Sequence, residues 1–261
     1  LGLESGEIFK GTFIGQRESA GEVVFNTSHS GYEEIATDPS YLNQIVVMTA
    51  PMQGNYGINP EVWESGRIWI EGFICLQLQS TERESSWRDL LVKHQVPILA
   101  ELDTRSLVLK LREGTAWGAI VDTDDEAQAR DRAQKLIQEK KSGDLDWVYR
   151  ASREKAETRK GALANGPRLA VLDFGAKENI LRELQKRCGE LRIFNSRSDV
   201  SEILDYKPQG LMLTNGPGDP QDVKKAVGTV RELIGKVPIF GICMGHQILG
   251  LALGGKTYKL K

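Results

Sequence analysis

The sequence predicts an α/β protein in two parts, an amino-terminal α+β domain followed by a doubly wound, mostly parallel sheet. Three observations predict it. Residues 168 to 255 alternate short apolar runs with amphipathic helical runs, the pattern of a parallel sheet covered by helices. Residues 1 to about 150 mix β-like and helical runs without that alternation. Between them, "ASREKAETRKGALANGP" (151–167) has almost no large apolar residue and ends in Asn-Gly-Pro, so it reads as a linker outside any core. At 261 residues the chain can bury two cores. The expected boundaries are 1–150, 151–167 and 168–261.

In the first part, "GEVVFNTS", "QIVVMT", "RIWIEGFICLQL" and "AWGAIVDT" are rich in β-branched and aromatic residues and read as strands. "SSWRDLLVKHQ" and "TRSLVLKLREG" read as helices. A third helix, "DDEAQARDRAQKLIQEKKSG", is expected to open with a capping box of Thr123 and Glu126 and to stop at Gly143. In the second part, "RLAVLDF" reads as a strand buried on both faces. Ile180, Leu181 and Leu184 in "GAKENILRELQKRCG" stand at helical spacing, and Gly189 is placed to end that helix. "LRIFN", "GLMLTN" and "VPIFGIC" continue as strands. "SDVSEILDY", opened by Ser198 or Asp199, and "DVKKAVGTVRELIG" are the helices between them.

Composition excludes several function classes. The net charge is −2 and Lys and Arg form no tract that could follow a phosphate backbone, so nucleic acid is not an expected partner. No run approaches the roughly 20 apolar residues of a membrane span, and mean hydropathy is −0.34. The first residues show no basic-then-apolar leader. Three widely spaced cysteines, Cys75, Cys188 and Cys243, fit reduced thiols in a cytosol better than a disulfide framework.

Two loops carry candidate chemistry. Gly241-Ile242-Cys243-Met244-Gly245 has the Gly-x-nucleophile-x-Gly form of a nucleophile elbow, with a strand run before it and a helical run after it. Flanking glycines relieve crowding at such a turn, and the positive end of the helix favours a thiolate. On this motif alone, a structural cysteine in a glycine-rich turn is an equal reading. "TNGPGDP" (214–220) follows the third strand, at the carboxyl edge where ligands of open α/β sheets bind. Gly216 and Gly218 would let backbone amides approach a ligand; an ordinary Gly-Pro turn is the alternative.

Together, at neighbouring strand ends, these loops resemble the class I glutamine amidotransferase domain, whose signature is matched by "GICMGHQ" with "NGPGDP" as companion loop. "GEVVFNTSHSGYEEIATDPSY", "DTRSLVLKLRE" and "DFGAKENILREL" narrow the resemblance to the small, glutamine-hydrolysing subunits of carbamoyl phosphate synthetases. The resemblance implies hydrolysis of glutamine through a Cys243 thioester. The ammonia would go to a large ATP-dependent subunit that makes carbamoyl phosphate for pyrimidine and arginine biosynthesis in the cytoplasm. It implies Cys243 as nucleophile and the amides of Gly216 and Met244 as oxyanion hole. Ser40, Gly216, Gly218, Met244 and Gln247 would bind glutamine. It implies no metal and no cofactor in this subunit, ATP, magnesium and bicarbonate being used by the large one.

The resemblance also implies a histidine base with a glutamate partner well beyond the elbow. The three histidines here are His29, His94 and His246. His246 follows Cys243 on the same helix, where its ring would point along or away from the helix, so it reads as structural. His29 and His94 read as turn or surface residues. The sequence runs only one helix past Cys243, to Lys261, so the expectation is that a C-terminal part bearing the base and the last strands of the sheet is missing from it. Two alternatives remain: a catalytically inactive glutaminase-like assembly partner, and the glutaminase component of another amidotransferase. The first part of the chain argues against the latter.

Overall fold

Short apolar runs, buried on both faces in the central strands, build the first sheet. Its strands are β1 (Gly2–Leu3), β2 (Thr12–Ile14), β3 (Ser19–Asn26), β4 (Gln44–Met48), β6 (Gly72–Ile74), β8 (Ile98–Ala100) and β9 (Ala116–Ile120), in the order β1-β9-β3-β4-β6-β8-β2; the short β5 (Met52–Gln53) and β7 (Gln77–Leu78) pair separately. β3, β4, β6 and β8 run parallel, and antiparallel β9 and β2 flank them. Helices α1 (Tyr32–Thr37), α2 (Trp87–Lys93), α3 (Thr104–Leu111) and α4 (Glu126–Lys141) accompany the sheet. Val23, Ile45, Val47, Ile74, Leu99 and Ile120 pack against Leu107 and Leu111 of α3. Ala20, Ala119 and Val121 pack against Ala129, Ala133 and Ile137 of α4.

The second sheet has the order β10-β12-β11-β13-β14, from β10 (Glu157–Lys160), β11 (Arg168–Asp173), β12 (Glu190–Asn195), β13 (Gly210–Leu213) and β14 (Ile239–Gly241). All but β10 are parallel. The period of two along β11 sends Ala170 and Leu172 to one face and Val171 to the other. The first face packs on Ile203 of α7 (Val200–Asp205), Ala226, Val230 and Leu233 of α8 (Lys224–Leu233), and Ile248 and Ala252 of α9 (Met244–Ala252). The second packs on Leu181 of α6 (Glu178–Gln185). Helices on both faces make this a doubly wound α/β sheet, as the alternating pattern predicts.

The computed structural model describes residues 1–79, 86–114, 116–143 and 146–258. Contacts group them into two compact units, 1–37 with 43–143 and 38–42 with 146–258. The division differs from the expected boundaries in three ways. Helix α5 (Trp147–Ala151) belongs to the second unit, with Val148 buried in its core. The expected linker contains β10, whose "ETRK" has no apolar signal; ladder bonds to β12 and ion pairs of Arg159 with Glu157 and Glu178 hold it at the sheet edge. Segment 38–42 joins the second unit through side-chain bonds described below. Locally, α4 opens at Asp125, which accepts from Ala127 and Gln128 amides, while Thr123 bonds Gln128 instead of closing a capping box with Glu126. Its C-cap is Ser142. Asp199 does cap α7, in a capping box with Glu202. Of "RIWIEGFICLQL" only Gly72–Ile74 and Gln77–Leu78 are strand, and Ser85 of the α2 expectation lies outside the described residues.

Leu172 is fully buried in the second core, whereas Leu109 is 59% exposed. Leu172→Ala should cost about 2–5 kcal/mol in urea unfolding, and Leu109→Ala at most about 0.5 kcal/mol. Equal losses would mean that the core is placed wrongly.

Candidate active site

At the carboxyl edge of the second sheet the chain leaves β14 and turns at Cys243 into α9. Cys243 has φ 51° and ψ −111°, a conformation that costs a non-glycine residue about 1–3 kcal/mol unless its surroundings impose it. They do. The Ile242 N–H donates to the Leu213 carbonyl at 3.0 Å, and the Gly245 N–H reaches both the Thr214 and the Ile242 carbonyls at 2.9 Å. The flanking glycines are required by space: a Cβ at 241 would stand 2.6 Å from the Gly245 carbonyl carbon, and one at 245 only 2.3 Å from the Leu213 oxygen. The thiol is exposed at the N-cap position of α9, where the helix end stabilises negative charge.

The loop after β13 lies against the loop after β11. Thr214 Oγ1 accepts from the Phe174 N–H and donates to the Asn215 carbonyl, both at 2.9 Å. Gly216 is a glycine for a reason beyond substrate approach: its Cβ would sit 2.2 Å from the Phe174 oxygen. Gly218 has φ +83°. Among the described residues, neither the Gly216 nor the Met244 N–H has a hydrogen-bond acceptor. Two backbone donors are thus available beside the elbow, as an oxyanion would require.

The loop after β11 is pinned by Asp173, 1% exposed. Its Oδ1 accepts from the Gly175 and Ala176 amides at 2.9 and 2.8 Å, and its Oδ2 from the Arg153 backbone and guanidinium at 3.0 and 2.8 Å. Segment 38–42 closes the group. Asp38 caps a 3₁₀ turn at Pro39–Tyr41, accepting from the Ser40 N–H at 2.9 Å, and its other oxygen meets Lys177 Nζ at 2.8 Å. Ser40 Oγ accepts from Asn215 Nδ2 at 2.9 Å.

The predicted Cys243, Met244, Gln247, Gly216, Gly218 and Ser40 therefore all fall in one unit, Ser40 despite its distance in sequence. Gln247 is exposed on the first turn of α9 and donates its backbone N–H to Cys243. His246 is exposed beside it, and His29 and His94 belong to the other unit. Among the described residues no histidine is hydrogen-bonded to Cys243. Sequence reasoning passed over Asp38, Asp173, Lys177, Thr214 and Asn215. Asp173, Thr214 and Asn215 were visible only as small polar residues near the glycines of "DFGAK" and "TNGPG", and Asp38 and Lys177 carried no signal of their own.

Residues 1–121 match the family "Carbamoyl-phosphate synthase small chain, CPSase domain", and residues 170–261 match "Glutamine amidotransferase class-I". A carbamoyl phosphate synthase small chain of Methanopyrus kandleri is 45% identical over all of this chain and 74% of its own length. That of Symbiobacterium thermophilum is 44% identical over 99% of this chain and 73% of its own. A Bacillus subtilis protein named carbamoyl phosphate synthase pyrimidine-specific small chain is 39% identical over all of this chain and 71% of its own. Among the described residues no helix is long and apolar enough to cross a membrane.

Burial pushes the Cys75 thiol up to about 12 and also raises that of Cys188. The thiolate is the nucleophile, so limiting iodoacetamide should label Cys243 first, with Cys75 silent up to about pH 9 because its thiolate forms only as pH nears 12. Peptide mapping that finds Cys75 or Cys188 labelled ahead of Cys243 would remove the elbow's chemical role.

Proposed function

Because the chain belongs to the carbamoyl-phosphate synthase small-chain family, we propose that it is the glutaminase of such a synthase and that Cys243 is its nucleophile. The thiolate attacks the side-chain carboxamide carbon of glutamine, and the carbonyl oxygen takes the negative charge. The Gly216 and Met244 amides receive that charge. Collapse of the tetrahedral intermediate breaks the C–N bond, releases ammonia with a proton from the medium or a general acid, and leaves a γ-glutamyl thioester. Water then attacks the thioester, giving glutamate and the free thiol. Ser40, Gly218 and Gln247 hold the amino-acid end of the substrate.

The single observation that carries this reading is the strained, exposed Cys243 at a helix start, with two acceptor-free amides on the adjoining turns. A structural cysteine gains nothing from such a backbone. In the same reading the ammonia goes to a large partner subunit that uses ATP, magnesium and bicarbonate to make carbamoyl phosphate, and this subunit needs no cofactor of its own. The pair works as a heterodimer in the cytoplasm, serving pyrimidine and arginine biosynthesis; the three unpaired cysteines are in keeping with a reducing compartment.

Cys243→Ser keeps the size of the side chain but replaces an ionisable thiol by a hydroxyl. In the complete protein with its synthetase partner, glutamine-dependent carbamoyl phosphate formation should fall by about 10³-fold or more, on the scale of losing a covalent nucleophile. Formation from added ammonium should persist, because ammonium enters after the glutaminase step. If both activities fell together, Cys243 would be a scaffold residue; if neither fell, the nucleophile would lie elsewhere.

A further inference from the structure

Asn215 is 3% exposed and sits at the start of the glycine loop, where its side chain touches both the loop after β11 and segment 38–42. Its Oδ1 accepts from the Lys177 N–H at 3.0 Å, and its Nδ2 donates to the Gly175 carbonyl at 2.8 Å and to Ser40 Oγ at 2.9 Å, with Asp38 Oδ1 farther off at 3.4 Å. The orientation of the amide follows from these partners. A backbone N–H can only donate and a carbonyl can only accept, so Lys177 and Gly175 admit one flip state and not the other. With Nδ2 thus fixed as a donor, Ser40 Oγ must accept in that bond. A hydroxyl has one proton, and among the described residues the Ser40 proton goes to no acceptor. It stays available on a side chain that is only half-buried.

We propose that Asn215 is a positioning residue for the glutaminase reaction, acting through Ser40: it fixes the place of the Ser40 hydroxyl and leaves its proton to be donated to an anionic oxygen of the substrate, the carboxylate of the amino-acid end. This rests on the glutaminase reading above. The consequence is polarity. A carboxyamide facing the other way would draw the hydroxyl proton into the network and turn a lone pair towards the substrate carboxylate, which would repel it. Asn215 reaches Cys243 only indirectly, through the Thr214 carbonyl that accepts from Gly245, so its loss weakens substrate binding more than it changes the thiol.

The test is a double-mutant cycle on glutamine hydrolysis by the complete protein with its synthetase partner. Asn215→Ala and Ser40→Ala should each raise KM for glutamine by about tenfold, the value of one well-placed hydrogen bond. In each the fall in kcat should be smaller, as expected when binding common to ground and transition states is removed. The double mutant should be no more than about twofold worse than the worse single mutant, because both changes break the same contact. Alkylation of Cys243 by iodoacetamide should stay within about twofold of wild type in Asn215→Ala. If that variant does not fold, Asn215→Asp serves: it keeps the acceptor for Lys177 but puts a carboxylate oxygen in place of the donor, which would take the Ser40 proton into the network, so it should raise KM at least as much. A wild-type KM in Asn215→Asp, KM effects that multiply to about a hundredfold in the double mutant, or a fall in kcat with altered alkylation and unchanged KM would each overturn the proposal. A wild-type protein that does not hydrolyse glutamine, or a Cys243→Ser variant that still does, would instead sink the glutaminase reading.

Discussion

The site depends on a backbone constraint at one residue. Cys243 occupies a conformation that its side chain disfavours, and it remains there because the turns on either side leave no alternative: the elbow is bonded to the end of β13 through Leu213 and Thr214, and Gly241 and Gly245 let the chain pass closer than any Cβ would allow. The strain is of the order of 1–3 kcal/mol, comparable with a few net hydrogen bonds. The parallel core beneath supplies the rigidity, with Leu213 of β13 and Ile248 of α9 fully buried in one cluster. Exposure of the thiol is therefore a consequence of packing several ångströms below it.

The remaining loops are coupled to that turn by polar groups withdrawn from solvent. Thr214 joins the β11 and β13 loops, Asp173 folds the first of these back on itself, and Asp38 brings in the segment that bears Ser40. Such groups are expensive to bury unless each finds a partner. Asp173 does so four times, through three backbone amides and the Arg153 guanidinium. A network of this kind rigidifies what it spans, because moving one loop would strand the polar groups of the next.

Much of this was legible in the residues. The strand and helix alternation of 168 to 255 was readable because buried parallel strands are continuously apolar and their helices are not, and the elbow glycines were readable because a nucleophile turn has a fixed spatial requirement. β10 was not legible, since an edge strand of "ETRK" is held by backbone bonds and ion pairs that leave no hydrophobic period. The start of α4 was misread by two residues, because Asp125 and not Thr123 accepts from the free amides. Asn215 and Asp38 carry no periodic signal at all. Their partners are remote in sequence, and only the folded chain pairs them.

The short stretch 38–42 belongs to the second compact unit, yet both chain segments flanking it belong to the first. In a growing polypeptide this stretch leaves the ribosome well before β13 has been translated, and so the serine hydroxyl must wait for its amide partner until more than half the chain is out. For the same reason the second unit is not a contiguous cassette: a piece cut at the apparent linker would carry the elbow and the glycine loop but leave segment 38–42 behind, and with it the partner that Ser40 gives Asn215.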